Sequence, residues 1–240
     1  MNKKIVFFTG AGIDAESGVK TFRDNGGLWE EHSVENVATI KAWRRKNNQW
    51  RMLDFYNKRH NELDTVHPND AHKMIAELQH TSRYEVEVIT QNVTDLHERG
   101  GAKGVIHLHG TLLEKRSSSR PDLVYPWPRG EDIKIGDKCE KNSQLRPNIV
   151  WFGENLDVAK LNRAAVVSSN ADVFVIVGTS LEVQPAASLM FMTKETCMLY
   201  YVDPGEVGVN LTDYRAAFFY HIKENATTGM KKVLEDIKNM

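Results

Sequence analysis

Residues 8–29 read FTGAGIDAESGVKTFRDNGGLW, directly behind the apolar run Ile5, Val6, Phe7 and Phe8. Four consecutive apolar residues, mostly β-branched or aromatic, predict a short buried strand. Gly10-Ala11-Gly12-Ile13-Asp14-Ala15 then matches G-x-G-x-x-A at the mouth of that strand. Two missing Cβ atoms let the backbone turn tightly and approach a pyrophosphate, whose charge the N–H groups opening the next helix balance. A bound dinucleotide is one expectation, and a glycine-rich strand-to-helix turn without a ligand is the other. The motif by itself leaves both open, because no clear acidic residue closes a second strand at the usual spacing of roughly 20 residues.

Composition narrows the classes around this stretch. A chain of 240 residues, 41% hydrophobic, buries one substantial core or one core with a small satellite lobe. With 31 basic against 32 acidic residues there is no global field to draw it onto nucleic acid or an anionic membrane. Cys139 and Cys197 are too few for a disulfide framework or a four-cysteine zinc site, so a reducing cytoplasm is the expected compartment. The apolar run behind Lys3 and Lys4 is too short for the roughly 7–15 residues of a signal-peptide core, and no run approaches the roughly 18 residues of a membrane span.

Further apolar runs predict strands at Val86–Thr90, Val105–Leu108, Ile149–Phe152, Val173–Val177, Leu199–Val202 and Ala217–Ile222. Between them, Ala71, Met74, Ile75 and Leu78, and later Met230, Val233, Leu234 and Ile237, follow helical spacing. Strand-helix alternation predicts an α/β fold, a doubly wound Rossmann-like parallel sheet. Residues 30–70 and 113–145 break the alternation and are expected to leave the sheet as insertions forming a smaller lobe. The Rossmann-like core then takes about 1–29, 71–112 and 146–240, and the cleft between core and lobe is the natural ligand site.

Several motifs following the glycine-rich turn resemble those of sirtuins, in the family's order. Gln91-Asn92-Val93-Thr94-Asp95-Leu96-His97 resembles its Q-N-[IV]-D-x-L-H, and His109-Gly110 its catalytic H-G. Arg146-Pro147-Asn148-Ile149-Val150-Trp151-Phe152-Gly153-Glu154 is similar to its substrate-strand motif, and Gly178-Thr179-Ser180 to its second nucleotide turn. The resemblance implies a single catalytic domain spanning 1–240 that uses NAD and transfers the acyl group of a modified lysine to ADP-ribose, releasing nicotinamide. The cofactor residues it implies are Gly10, Ala11, Gly12, Ile13, Ala15, Glu16, Thr21, Phe22, Arg23, Trp29, Gln91, Asn92, Val93, Thr94, Gly178, Thr179, Ser180, Val202, Asp203 and Ala226. Val150, Trp151, Phe152 and Gly153 are implied to meet the acylated protein or peptide. A monomer is the favoured state, with no nucleic-acid or membrane partner.

Alternation along Val105–His109 puts His107 and His109 on one face, and either imidazole is suited to accept a proton near neutral pH. The family pattern selects His109 as catalytic base and leaves His107 to packing. Asn92, an ordinary turn residue after a strand, is implied to be catalytic, holding the nicotinamide-ribose end and a water. Tyr56 and Arg59 stand three apart on one helix face, the spacing of an ordinary amphipathic helix with a snorkelling arginine. Within the resemblance they match the Y-x-x-R pair of the class III branch, whose phenol and guanidinium bind the carboxylate of succinyl- or malonyl-lysine. Ala38 matches a position that this branch keeps small for the longer acyl chain.

The chain also departs from the pattern. Ser117 stands where the first cysteine of a structural zinc site is expected and Cys139 is alone, so no metal is expected and Tyr125, Pro126 and Trp127 are expected to hold the lobe by packing. Thr94 replaces an aspartate implied to contact the nicotinamide carboxamide, Asp14 replaces a serine, and Lys20 a proline. The expected function is therefore a zinc-free NAD-dependent deacylase acting on succinyl-, malonyl- and acetyl-lysine. A sirtuin-fold ADP-ribosyltransferase or NAD glycohydrolase, and a non-catalytic NAD-binding module, are the alternatives.

Overall fold

A computed structural model of the chain describes residues 2–21, 33–206 and 218–240. The predicted alternation folds as a six-stranded sheet of β1 (Lys3–Thr9), β2 (Tyr84–Thr90), β3 (Ile106–His107), β7 (Val173–Val177), β8 (Met198–Val202) and β9 (Phe219–Ile222). Its order is β3-β2-β1-β7-β8-β9 and every pairing is parallel. This is the doubly wound arrangement, with the strand order reversing between β1 and β7.

Residue alternation along β1 sorts the core into two layers. Ile5 and Phe7 face α5 (Asp70–Gln79) and α8 (Ala226–Lys238), beside Val86, Val88, Val173, Val175, Met230 and Val233. Val6 and Phe8 point the other way, beside Phe174, Ile176, Ala164 of α7 (Val158–Ser169) and Leu189 of a 3-10 segment, Ala186–Met192. All five residues of β7 are buried, as a central parallel strand requires. Asn69 caps α5 by accepting from Ala71 N at 2.9 Å, and Asp157 caps α7 by accepting from Ala159 N at 2.9 Å.

Residues outside the alternation form the lobe. A second sheet, β5-β4-β6, pairs β4 (Gly110–Ser117) antiparallel with β5 (Val124–Pro126) and β6 (Leu145–Ile149). Against it pack the short helices α2 (Val34–Val37) and α3 (Ile40–Arg44) and the longer α4 (Gln49–Glu62), sharing one core that includes Trp43, Met52, Leu53, Leu112, Trp127 and Trp151. The remaining short helices are α1 (Ala11–Ala15) and α6 (Leu96–Arg99).

Three expectations change. The predicted strand Ile149–Phe152 is instead the end of β6 followed by a turn, because β6 pairs with β4 in the lobe and not with the large sheet. The small sheet consequently reaches past 113–145, to Gly110 on one side and Ile149 on the other. Pro126 is exposed, so the lobe is held by Trp127, which stacks on His60 at 4.1 Å between ring centres and donates Nε1–H to Glu131 O at 2.7 Å. Of the strand predicted over Ala217–Ile222, Ala217 lies outside the described residues.

Candidate active site

A cleft of about 680 Å³ opens between core and lobe, at the carboxyl ends of β1, β2, β7 and β8 where the strand order reverses. Gly10, Ala11, Gly12, Ala15, Glu16, Thr21, Gln91, Asn92, Val93, Gly178, Thr179, Ser180, Val202, Asp203 and Ala226 line one part. Ala38, Tyr56, Arg59, His109, Val150, Trp151, Phe152 and Gly153 line the rest. Ile13 and Thr94 do not reach the wall: Ile13 is fully buried in the core under α5, and the buried Thr94 turns its hydroxyl to Asp14. Phe22, Arg23 and Trp29 lie outside the described residues.

The glycines bring two loops into contact. Gly10 N donates to Val177 O at 3.0 Å and Gly12 N to Gly178 O at 2.8 Å. A Cβ on Gly12 would sit 2.6 Å from Gly178 Cα, and Gly178 itself has φ +62° with Ile13 N only 2.4 Å from where a Cβ would be. The glycine-rich turn is thus first a backbone-to-backbone joint between the ends of β1 and β7. The far wall is fixed by Glu16, whose carboxylate accepts from Thr227 N at 2.8 Å and Thr227 Oγ1 at 2.7 Å in the first turn of α8. This leaves the cap residue Asn225 without a side-chain capping bond and on the cleft wall.

His109 and Asn92 meet at the end of β2. The Nδ1 of His109 lies 3.0 Å from Gln91 O. A carbonyl only accepts, so Nδ1 carries the proton and Nε2 keeps its lone pair. Burial holds the His109 pKa below the ordinary histidine value, with the Gln91 carbonyl opposing it. His107 differs: Nδ1 faces Asn92 O at 2.9 Å and Nε2 faces Glu98 Oε1 at 2.8 Å, so both nitrogens are engaged and it ties β3 to α6. Asn92 is buried and donates Nδ2–H to Gly10 O at 2.9 Å, while Gln91 Nε2 donates to Thr179 Oγ1 at 2.9 Å. Two side chains thereby lock the β2 loop to both nucleotide turns.

Thr94 and Asp14, two separate departures in the sequence, form one contact. Thr94 Oγ1 donates to Asp14 Oδ2 at 2.8 Å, and Asp14 Oδ1 faces His72 Nε2 at 3.1 Å. All three are buried. Where the family pattern places a serine and an aspartate, this chain places an aspartate and a threonine. The pair keeps one hydroxyl and one carboxylate, with the carboxylate on the glycine-rich turn and the hydroxyl on the loop after β2. Asp95 is turned away, accepting from Arg129 Nη2 at 2.6 Å.

At the other end, α4 presents Tyr56 and Arg59 on the face that packs on Trp151, with the Tyr56 and Trp151 rings 5.8 Å apart. Burial pushes the Tyr56 phenol up, leaving it a neutral donor, and draws the Arg59 pKa down while Glu62 opposes the fall. Arg59 Nη1 reaches Glu62 Oε2 at 3.3 Å, and that carboxylate is half exposed. The turn after β6 is shaped by Arg146, a residue quoted in the motif but given no role. Its guanidinium lies 3.2 Å over the Trp151 ring, donates to both Glu154 oxygens at 2.8 Å, and is pushed down to about 10 by burial. Glu154 Oε2 also accepts from Trp151 N at 2.9 Å, so the pair holds the 150–154 turn open to the cleft.

The Sir2 family profile matches residues 10–185, from the first glycine of the turn to the cis Gln184–Pro185 bond on the cleft wall. The chain belongs to the Sir2 family. Two relatives from Helicobacter pylori, both named NAD-dependent protein deacylase, are similar along their whole lengths. The strain 26695 protein is 49% identical, covering 99% of each chain. The strain J99 protein is 44% identical, covering 99% of this chain and 97% of that one. Among solved structures, a Sir2 homologue mutant in complex with ADP-ribose superposes with a TM-score of 0.87 at 36% identity, covering 99% and 92% of the two chains. A Sir2 protein with a p53 peptide and NAD+ gives a TM-score of 0.78 at 30% identity, covering 98% and 94%.

For a Sir2 chain, the cleft residues that motif reading missed are those without a local signature. Phe55, Leu112, Tyr201 and Asn225 reach the wall from four different elements. Asn225 alone carried a signal, an asparagine just before an amphipathic run.

Proposed function

We propose that this Sir2 protein is an NAD-dependent protein-lysine deacylase that prefers acidic acyl groups, succinyl and malonyl over acetyl, and acts in the cytoplasm. The observation that carries the acyl preference is the buried Tyr56–Arg59 pair on the cleft wall, with Ala38 as a small neighbour. The carboxylate within ion-pair distance of the Arg59 guanidinium is the half-exposed Glu62, with the buried Asp14 acting on it from farther away. A substrate carboxylate entering there meets a desolvated fork and a neutral phenol donor, the chemistry suited to a planar anion.

The residues present fit NAD. The cleft stands at the switch point and is walled by the Gly10–Gly12 turn, the Thr179 and Ser180 hydroxyls, the Asn92 and Asn225 amides and Asp203 at the end of β8. Bound NAD supplies the ADP-ribosyl acceptor and the nicotinamide leaving group. Nε2 of His109 is the atom that takes a proton from a hydroxyl presented in the cleft, and the Gln91 carbonyl keeps that lone pair inward. The 150–153 turn holds the acylated segment, and Trp151, Leu112 and Ile149 exclude water from the acyl chain.

Arg59→Met keeps an unbranched stem and removes the charge. Charge-assisted hydrogen bonds contribute roughly 1.5–3 kcal/mol, so kcat/KM for succinyl-lysine peptides should fall about ten- to a hundredfold, with acetyl-lysine little changed. Mass-spectrometric rates on both peptides check this. Equal losses would assign Arg59 to holding α4 and remove the basis of the acyl preference.

The lobe is proposed to be independent of zinc. Ser117 Oγ accepts from Cys139 Sγ at 3.3 Å and from Arg120 N at 3.2 Å, a hydrogen-bonded clasp between β4 and the loop before β6. Among the described residues no group of three or more His, Cys, Asp or Glu is arranged to hold a metal. Elemental analysis should find well under one zinc per chain, and a chelator should leave Tm unchanged. A stoichiometric zinc would overturn this.

A further inference from the structure

From Asn36 to Leu53 the chain carries five basic residues, Lys41, Arg44, Arg45, Lys46 and Arg51, and no acidic one, in a protein with 31 basic and 32 acidic residues. All five are exposed, and among the described residues none has a carboxylate partner. Lys41 and Arg44, three apart, share one face of α3, away from the buried Ala42 and Trp43, and Arg45 and Lys46 follow directly at its C-terminal end. The helix dipole accounts for part of the charge, since Lys41 and Arg44 lie in the last turn of α3, where it favours cations, but not for Arg51, which stands in the first turn of α4 without an acidic residue. Beside Arg51 the Trp50 side chain is 57% exposed, with the guanidinium 5.7 Å from its ring centre.

The position of this face suggests its use. Thr39 forms a parallel bridge with Phe152, and Ile40 N donates to Phe152 O at 3.0 Å, so α3 starts on the turn that the reading above assigns to the acylated segment. A five-residue helix rises only about 7.5 Å, and extended chain advances about 3.3 Å per residue. The charges of α3 are therefore within reach of residues a few positions from a lysine entering at 150–153.

We propose that this basic face receives an acidic stretch of the acylated protein, so that acyl-lysines flanked by Asp or Glu are selected. The proposal rests on the deacylase reading for the location of the substrate, and on charge complementarity for the partner. Continuity with the 150–153 turn favours a protein segment over nucleic acid. Exposed charges act mainly at low ionic strength, since screening sets in over about 10 Å at 0.1 M salt.

The test uses three succinyl-lysine peptides of one length, flanked by Asp/Glu, by Asn/Gln or by Lys, with fluorescence-anisotropy binding and kcat/KM measured at low and high salt. Acidic flanks should bind and turn over about five- to tenfold better than neutral ones at low salt, and the gap should close as salt rises. The triple variant Lys41→Gln, Arg44→Gln, Lys46→Gln should abolish the gap and leave turnover of the neutral peptide unchanged. Equal binding of the three peptides, or a preference that survives the triple variant, overturns the proposal. Patch-dependent binding of a dT20 oligonucleotide without peptide discrimination would overturn it in favour of a nucleic-acid face. Binding is read without turnover, so absence of deacylation would count against the enzymatic reading and leave the flank preference to decide this one.

Discussion

His109→Ala should lower NAD-dependent deacylation by about 10²- to 10⁴-fold, the usual contribution of a general base, while leaving the fold and most NAD binding intact. The side chain bonds one backbone carbonyl, and its loss leaves only Gln91 O to find another donor or water. The pH profile provides a second readout. A base works in its neutral form, and burial holds the folded pKa below the ordinary value near 6.5. Activity is therefore fully present at neutral pH and is lost as pH falls through that depressed pKa, which puts the acid limb of kcat/KM below about 6.5. The alanine variant should have no such limb. Near-wild-type turnover in the variant would remove His109 from the chemistry, and His107, with both nitrogens engaged, would not replace it without breaking its bond to Glu98.

The second large effect concerns the Asp14–Thr94 exchange. Thr94→Asp should destabilise the protein by about 3–5 kcal/mol, because it sets a second carboxylate against a buried one with no added cation. Asp14→Ser leaves the buried His72 Nε2 and Thr94 hydroxyl short of their acceptor, a loss of roughly 1–3 kcal/mol for each group left unpaired. Combining the two restores one hydroxyl and one carboxylate with their sides reversed. Urea unfolding should show the double variant more stable than the sum of the singles by about 0.5–3 kcal/mol. Additivity within about 0.3–0.5 kcal/mol would show that the residues do not act as a pair.

Local pattern was enough for the parts of the molecule whose burial is regular along the chain. Ile5–Phe8 and Val173–Val177 read as strands because a central parallel strand is apolar on both faces, and 71–78 and 230–237 read as helices because one face of each is buried against the sheet. The G-x-G-x-x-A turn, the H-G pair and the Y-x-x-R spacing are likewise local, and Gly10, Ala11, Gly12, Ala15, His109, Tyr56 and Arg59 stand on one cleft. Nothing local separated β6 from the large sheet. Ile149–Phe152 is as apolar as a core strand, and its assignment to the lobe depends on pairing with Gly110–Ser117. The joint between Gly12 and Gly178 and the Glu16–Thr227 clasp, 211 positions apart in the chain, also exist only once the strands are ordered. The same holds for Thr94 and Asp14, which as sequence were two unrelated departures and in the fold are one hydrogen-bonded pair. Periodicity and motif report what each segment buries and which functional groups it carries. Which groups satisfy each other is fixed by distances between segments, and those are set by the order and register of the sheet.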